Sequence, residues 1–276
     1  MQLYGRWDRS NPKAPRSSWN ATYIETRFEG TEIAIRLRDG DNNWSYRIDD
    51  GALQTLVTTS AAEYLLGAGL SDTTHTLHIV RRGEIFAGQQ EVVFDGFALG
   101  ADTRLLAPNN TRTRGMEFIG DSISAGFGNE GFGNNDRSTQ NANLAFGPVT
   151  ARNLNADWHV EAISGIGMYR TLGDFEPPSL LTMPDHFLHT GPDINTTTWD
   201  FTWIPHVVVV ELGTNDYIDS TGGPVNRSAF RGAYTNFLEL LRDRYPVTHI
   251  FCLSPFFPAM APFEKPAATS KPSLPI

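Results

Sequence analysis

"MEFIGDSISAGFG", residues 116–128, decides how this chain is read. An apolar run ends on Gly120-Asp121-Ser122 and opens into small residues and glycines. Two readings of Ser122 stand side by side. It is a nucleophile held at the end of a strand, or it belongs to an ordinary Asp-Ser helix cap, because both side chains accept from the free N–H groups of a first helical turn. Gly120 permits a sharp turn, and a helix start offers backbone N–H groups to a developing anion.

Working outward from this stretch, compact apolar runs recur in "WHVEAISG" (158–165), "HVVVVELGTND" (206–216) and "THIFCLSP" (248–255). Runs of this length and uniformity are expected of strands covered on both faces. Helical patterns lie between them. "NRSAFRGAYTNFLELLRDRYP" (226–246) puts Phe230, Tyr234, Phe237 and Leu241 on one face, with Ser228 as N-cap and Pro246 past the end. "ANLAFGPVTARNL" is a poorer helix because Pro148 interrupts it. Strand and helix in alternation imply a parallel α/β sheet, whose chemistry gathers at the carboxyl ends of the strands. Two further strand ends match the opening one. Gly165 and Gly167 close the second run, where backbone can approach a ligand. Gly213-Thr214-Asn215-Asp216 closes the third, where an Asn amide either caps a loop or donates to an oxyanion, a donor worth about 3 kcal/mol in a transition state.

The first part of the chain has a different period. In "TEIAIRLRDG", Ile33, Ile35 and Leu37 alternate with charged or small residues, and "NWSYRIDDG" repeats this with Trp44, Tyr46 and Ile48 before an Asp-Gly turn. "HTLHIV" and "EVVFDGFAL" continue it, implying an antiparallel β-sandwich. The polar, turn-rich "APNNTRTRG" (107–115) separates the two patterns. The expected organisation is therefore a sandwich over 1–108, an α/β domain over 112–258, and a Pro/Ala/Ser-rich tail over 259–276.

With 276 residues and a net charge of −9, the chain has no Lys/Arg cluster, so a nucleic-acid partner is not expected. No apolar stretch reaches bilayer-spanning length, so no membrane partner is expected. Cys252 is the only cysteine and reads as a buried, inert thiol. "MQLYGRWD" lacks a signal-peptide core, while Asn-x-Ser/Thr sequons at Asn20, Asn43, Asn109, Asn195 and Asn226 point toward secretion.

Gly120-Asp121-Ser122, Gly165 and Gly213-Thr214-Asn215-Asp216 resemble the first three blocks of the SGNH (GDSL) hydrolases, in the right order. Together with "GRWD", "WNATYIETRFEGTEIAIRL", "SGIGMYR", "MPDHFLHT" and "WDFTWIPHVVVVELGTND", they resemble carbohydrate esterase family 2 over about residues 4–258. The resemblance implies an N-terminal jelly roll joined to an SGNH hydrolase domain with a parallel sheet flanked by helices. It also implies an esterase that removes acetyl groups from plant polysaccharides. Carried over, Ser122 attacks the acetyl carbonyl, and the Ser122 N–H, the Gly165 N–H and the Asn215 side chain form the oxyanion hole. The implied partner is a small acyl ester or acetylated carbohydrate, with no cofactor and no metal.

The family takes its general base from an Asp-x-x-His block after a fifth strand, and the last His here is His249, inside the fourth apolar run. Three explanations stand open. The chain is a fragment or altered form of a longer esterase, it recruits another His (His186 and His189 in "MPDHFLHT"), or it binds carbohydrate without turnover. Other motifs carry less. "GFGNEG" (126–131) is followed by polar residues and reads as an active-site loop, not a dinucleotide turn. His75 and His78, three apart in an alternating strand, point to opposite faces, and no carboxylate cluster completes the His186/His189 pair. Trp199 and Trp203 read as packing residues before a buried strand, with stacking on a sugar ring as the alternative.

Overall fold

The computed structural model describes residues 1–84, 91–100, 103–131, 137–218 and 223–254. The expected tail, 259–276, and the polar segment 132–136 after the glycine loop lie outside the described residues.

Up to Leu106 the strands are antiparallel. One sheet holds β1 (Gln2–Tyr4), β3 (Tyr23–Gly30), β5 (Asn42–Ile48), β6 (Gln54–Thr58) and β8 (Thr73–Arg81) in the order β1-β3-β8-β5-β6, with β10 (Arg104–Leu106) also on β3. The other holds β2 (Arg16–Ser17), β4 (Ile33–Arg38), β7 (Ala62–Gly67) and β9 (Val92–Leu99) in the order β2-β9-β4-β7. Their inner faces make one core. Ile33, Ile35 and Leu37 of β4 and Phe94 of β9 meet Phe28 of β3, Ile79 of β8 and Trp44 of β5. The alternation read in β4 is the pleat of a strand buried on one face. This is the antiparallel sandwich of the jelly-roll type that the sequence implied.

Past the linker the strands turn parallel. β11 (Arg114–Gly120), β12 (Ala156–Ala162), β13 (Val207–Glu211) and β14 (His249–Leu253) lie in the order β12-β11-β13-β14, every pairing parallel. Short helices α1 (Ser122–Ala125), α2 (Phe146–Asn153), α3 (Met183–Phe187) and α4 (Thr214–Tyr217) and the long α5 (Arg227–Arg244) connect them. Phe230, Phe237 and Leu241 of α5 are buried against Val208 and Val210 of β13, as the spacing predicts.

Four expectations need correction. β14, last in the sheet order among the described residues, is not covered on both faces: Phe251 and Leu253 are 55% and 42% exposed. Cys252, expected buried, is exposed as well. The N-cap of α5 is Asn226, whose side chain accepts from the Ala229 N–H, and not Ser228, which lies inside the helix. Pro148 does not weaken α2, because it sits in the first turn, where its missing N–H has no intrahelical role. Among the sequons, Asn20 is 1% exposed and donates to the Ala162 carbonyl, which removes it as a glycan acceptor in the folded chain.

The two halves are tied by buried charge. Arg112, in the linker, donates to Glu25 of β3 and to Asp157 of β12. Arg6, fully buried, donates to Glu117 of β11 at 3.1 Å and lies 3.1 Å from Glu161 of β12.

Candidate active site

The pairing register sets the site. Gly120 at the end of β11 is level with Ala162 of β12 and with Glu211 of β13. Ser122, Gly165 and Asn215 follow these three positions and leave adjacent strands at one level, at the carboxyl ends where an open α/β sheet binds ligands.

Ser122 opens α1, and the capping role falls to its neighbour. Asp121 Oδ1 accepts from the Ile123 N–H at 3.0 Å. The partly exposed Ser122 hydroxyl has no hydrogen-bond partner among the described residues. The helix is a single turn, closed by Gly126 with φ 73°. Gly120 is needed for space and not for the sharp turn expected of it: a Cβ there would overlap Ser124 Oγ and stand 2.9 Å from the Glu211 carbonyl oxygen.

Gly165 has φ +85°, a conformation that favours glycine. Its carbonyl accepts from the Leu172 N–H at 2.9 Å, and its own N–H reaches no acceptor among the described residues. Asn215, 4% exposed, is the second residue of α4, whose N-cap Gly213 has φ 128°. Its Nδ2 donates to the Ile166 carbonyl at 2.7 Å and to Asp121 Oδ2 at 3.3 Å. One amide thus spans from the residue after Gly165 to the residue before Ser122. Both amide protons are engaged, one on a long bond. Asp216 holds the same loop further along, its carboxylate accepting from the N–H groups of Met168 (2.9 Å), Tyr169 (2.7 Å) and Arg170 (2.7 Å).

The carboxyls under this site are unusual. Burial raises Asp121, and the Asp216 charge adds to the rise. Burial raises Glu211 as well, with Asp121 repelling it further. Ser124 Oγ donates to Glu211 at 3.3 Å. Asp216 is raised by burial even though three N–H groups oppose the shift. Glu84 enters from the sandwich half and accepts from both the N–H and the hydroxyl of Ser164, beside Gly165. Sequence reasoning missed Glu84 and Glu211. Neither carries a motif, and Glu84 lies 80 positions from the serine it contacts.

The structure does not bring His186 or His189 into contact with Ser122 among the described residues. Their Nδ1 atoms pair with the backbone carbonyls of Pro192 (2.5 Å) and Thr196 (3.1 Å). Arg6 donates to the carbonyls of Phe187 and His189 while it pairs with Glu117, so this segment lies beside the middle of β11. Trp203 lies flat on His159, ring centroids 3.7 Å apart, and Trp199 flanks the Arg6 guanidinium, which is packing as expected. His75 pairs with Asp49 and His78 with Glu25, on different faces of β8. Glu117, His159 and Glu161 place one ligand atom each within 4.8 Å of one another. The Arg6 guanidinium already pairs with both carboxylates, which puts a fixed positive charge where a metal ion would go.

Residues 3–108 match the family model for the carbohydrate esterase 2 N-terminal domain, and residues 118–272 match that of the GDSL-like lipase/acylhydrolase family. The cellulase/esterase CelE of Acetivibrio thermocellus is 36% identical over 256 residues, covering 90% of this chain and 30% of that protein. An acetylxylan esterase/glucomannan deacetylase of Cellvibrio japonicus is 29% identical over 221 residues, covering 75% of this chain and 58% of that protein. The chain therefore spans less than a third of the first curated relative and less than two thirds of the second. A solved family two carbohydrate esterase from Clostridium thermocellum, in complex with cellohexaose, superposes with a TM-score of 0.83 at 34% identity, covering 92% of this chain and 78% of that one.

Proposed function

Because the chain belongs to carbohydrate esterase family 2, with a GDSL-like acylhydrolase half, we propose that it is a serine ester hydrolase. Its substrates are acetylated plant polysaccharides or oligosaccharides of the xylan and mannan type, together with short-chain esters. The names of the relatives support this substrate class, and a secreted location suits it.

Ser122 Oγ attacks the acetyl carbonyl while its proton passes to a base. The tetrahedral oxyanion collapses, the sugar hydroxyl leaves with a proton, and water then cleaves the acetyl-serine to acetate. The N–H groups of Ser122 and Gly165 face the oxyanion. Asn215 contributes the proton now held on its long bond to Asp121, while its bond to the Ile166 carbonyl keeps the amide in place. The observation that carries this reading is that same amide, which joins the Ser122 and Gly165 strand ends. The two backbone N–H groups are donors in place before charge develops, whereas the Asn215 proton leaves its long bond to Asp121 as the oxyanion forms; acyl transfer is accelerated chiefly by such donors.

The test is turnover of p-nitrophenyl acetate by the wild type and by Ser122→Ala. A loss of about 10³-fold or more in kcat is expected. Equal rates remove the serine from the mechanism, and an inert wild type that still retains xylo-oligosaccharide would make the chain a carbohydrate-binding protein.

A further inference from the structure

The loop after β12 is pinned from several directions. Ile163 donates to the Gly120 carbonyl at 3.2 Å, Asn215 holds the Ile166 carbonyl at 2.7 Å, and Asp216 takes the N–H groups of Met168, Tyr169 and Arg170. All of these ties come from the parallel-sheet half. Gly165 is itself tied within that half, its carbonyl accepting from the Leu172 N–H at 2.9 Å, but the ties on Ser164, the residue before it, come from elsewhere. Glu84, which follows β8 of the sandwich and is 3% exposed, accepts from the Ser164 N–H at 2.6 Å and also from the Ser164 hydroxyl. Burial pushes its carboxyl up to about 7. The nearby Asp121 charge adds to that rise, while the Ser164 bonds and buried Arg81 oppose it. Burying a carboxyl is costly, and its two bonds to Ser164 offset part of that cost.

We propose that Glu84 is a positioning residue for ester hydrolysis, acting across the two halves to orient the Ser164–Gly165 peptide so that the Gly165 N–H meets the oxyanion. This inference rests on the hydrolase reading above. The Ser164 N–H lies on the peptide before the one that carries the Gly165 N–H, so Glu84 fixes Ser164 at the joint between the two planes, and releasing it frees the second plane to turn about a glycine that tolerates many backbone angles. The sandwich then becomes part of the catalytic apparatus, because it fixes one donor of the oxyanion hole. A donor displaced by about 1 Å costs about 10²-fold.

The experiment compares kcat and KM for p-nitrophenyl acetate among the full-length wild type, Glu84→Ala, Glu84→Gln and Ser164→Ala, with urea unfolding of each. Glu84→Ala is expected to lower kcat by about 10–100-fold with KM changed less than about threefold. Glu84→Gln, which still accepts from the Ser164 N–H, is expected to recover most of the rate. Ser164→Ala, which keeps that N–H, is expected to lose less than Glu84→Ala. The inference is overturned if an active wild type and Glu84→Ala share the same kcat. It is also overturned if the Gln variant unfolds like the wild type yet stays as slow as the Ala variant, since its retained bond then does nothing. A wild type without turnover overturns the hydrolase reading and this inference with it, so the two failures are told apart by the wild-type rate alone.

Discussion

The sandwich and the tips of the parallel strands use carboxylates in opposite ways. In the sandwich, Glu25 accepts from His78 and from both terminal nitrogens of Arg112, and these bonds hold it down at about 2 against a strong burial penalty. Asp49 is held below its usual range by His75 and the Thr76 N–H. At the strand tips, Asp121 and Glu211 are buried beside each other, hydrogen-bonded chiefly by neutral groups, and both are raised. The first kind of carboxylate is a tie, charged and paired so that it fastens strands together. The second kind is raised by burial and lies near the proposed nucleophile, Asp121 just before it in the chain and Glu211 bonded to Ser124, and perturbed acids are commonly found in active sites. Pairing thus lowers these two acids of the sandwich, while burial raises the two at the strand tips.

Arg6 is where the two uses meet, and removing it should have the largest effect. It carries a cation from the N-terminal half into the acids of the parallel sheet, with Arg6, Glu117 and Glu161 all fully buried. Arg6→Ala leaves Glu117 and Glu161 to each other, and a loss of about 3–5 kcal/mol is expected in urea unfolding. A loss under about 1 kcal/mol would mean that the sheet does not depend on the sandwich's cation.

The next two variants test the sign of the comparison through pH. Glu25 titrates at about 2 in the folded chain against an ordinary 4.5, so its contribution is present above about 4.5 and fades as the pH falls toward 2. Glu25→Gln should cost about 2 kcal/mol at pH 7, allowing for its partial exposure, and almost nothing near pH 2. Asp121 is shifted the other way. Its favourable contribution is present below the ordinary aspartate value and is lost as the pH rises through the raised one. Asp121→Asn should therefore match the wild type near pH 4 and exceed it by about 1 kcal/mol at pH 8, read from melting temperatures across that range. The contrast breaks if both variants move the same limb of the stability profile.

How much of this was legible depends on how local the cause is. The one-sided pleat of Ile33, Ile35 and Leu37 and the helical face of Phe230, Phe237 and Leu241 show in the sequence because burial repeats with the backbone period. Ser122, Gly165 and Asn215 each read equally as caps or turns when taken alone, and it is their order at three strand ends, resembling the SGNH blocks, that singles them out, although only the register shows that the strands end level. Other features were out of reach. "HIFCL" looks like a covered strand whether or not a neighbour is present, so the exposure of Cys252 could not be read. Asn226 and Ser228 are both good caps two positions apart, and only the backbone angle at the helix start chooses between them. Glu84 meets Ser164 through the packing of one half on the other, which no local pattern encodes.

The smallest expected effect sharpens the comparison by separating charge from burial. Arg36 of β4 stands directly opposite Glu63 of β7 and donates to it at 2.9 Å, the same kind of cross-strand tie as Glu25 with His78. The difference is exposure, since both side chains of the Arg36–Glu63 pair are more than half open to solvent. Water already solvates these charges, and holding two long side chains still costs entropy, so the net gain is small. Arg36→Ala should change stability by no more than about 0.5 kcal/mol at low ionic strength, and by less once salt screens the pair. A cost equal to that of Glu25→Gln would show that pairing alone gives a carboxylate its holding power. The exposed ties of the sandwich would then count equally with its buried ones, and the distinction between tie and site would have to rest on the raised acids at the strand tips alone.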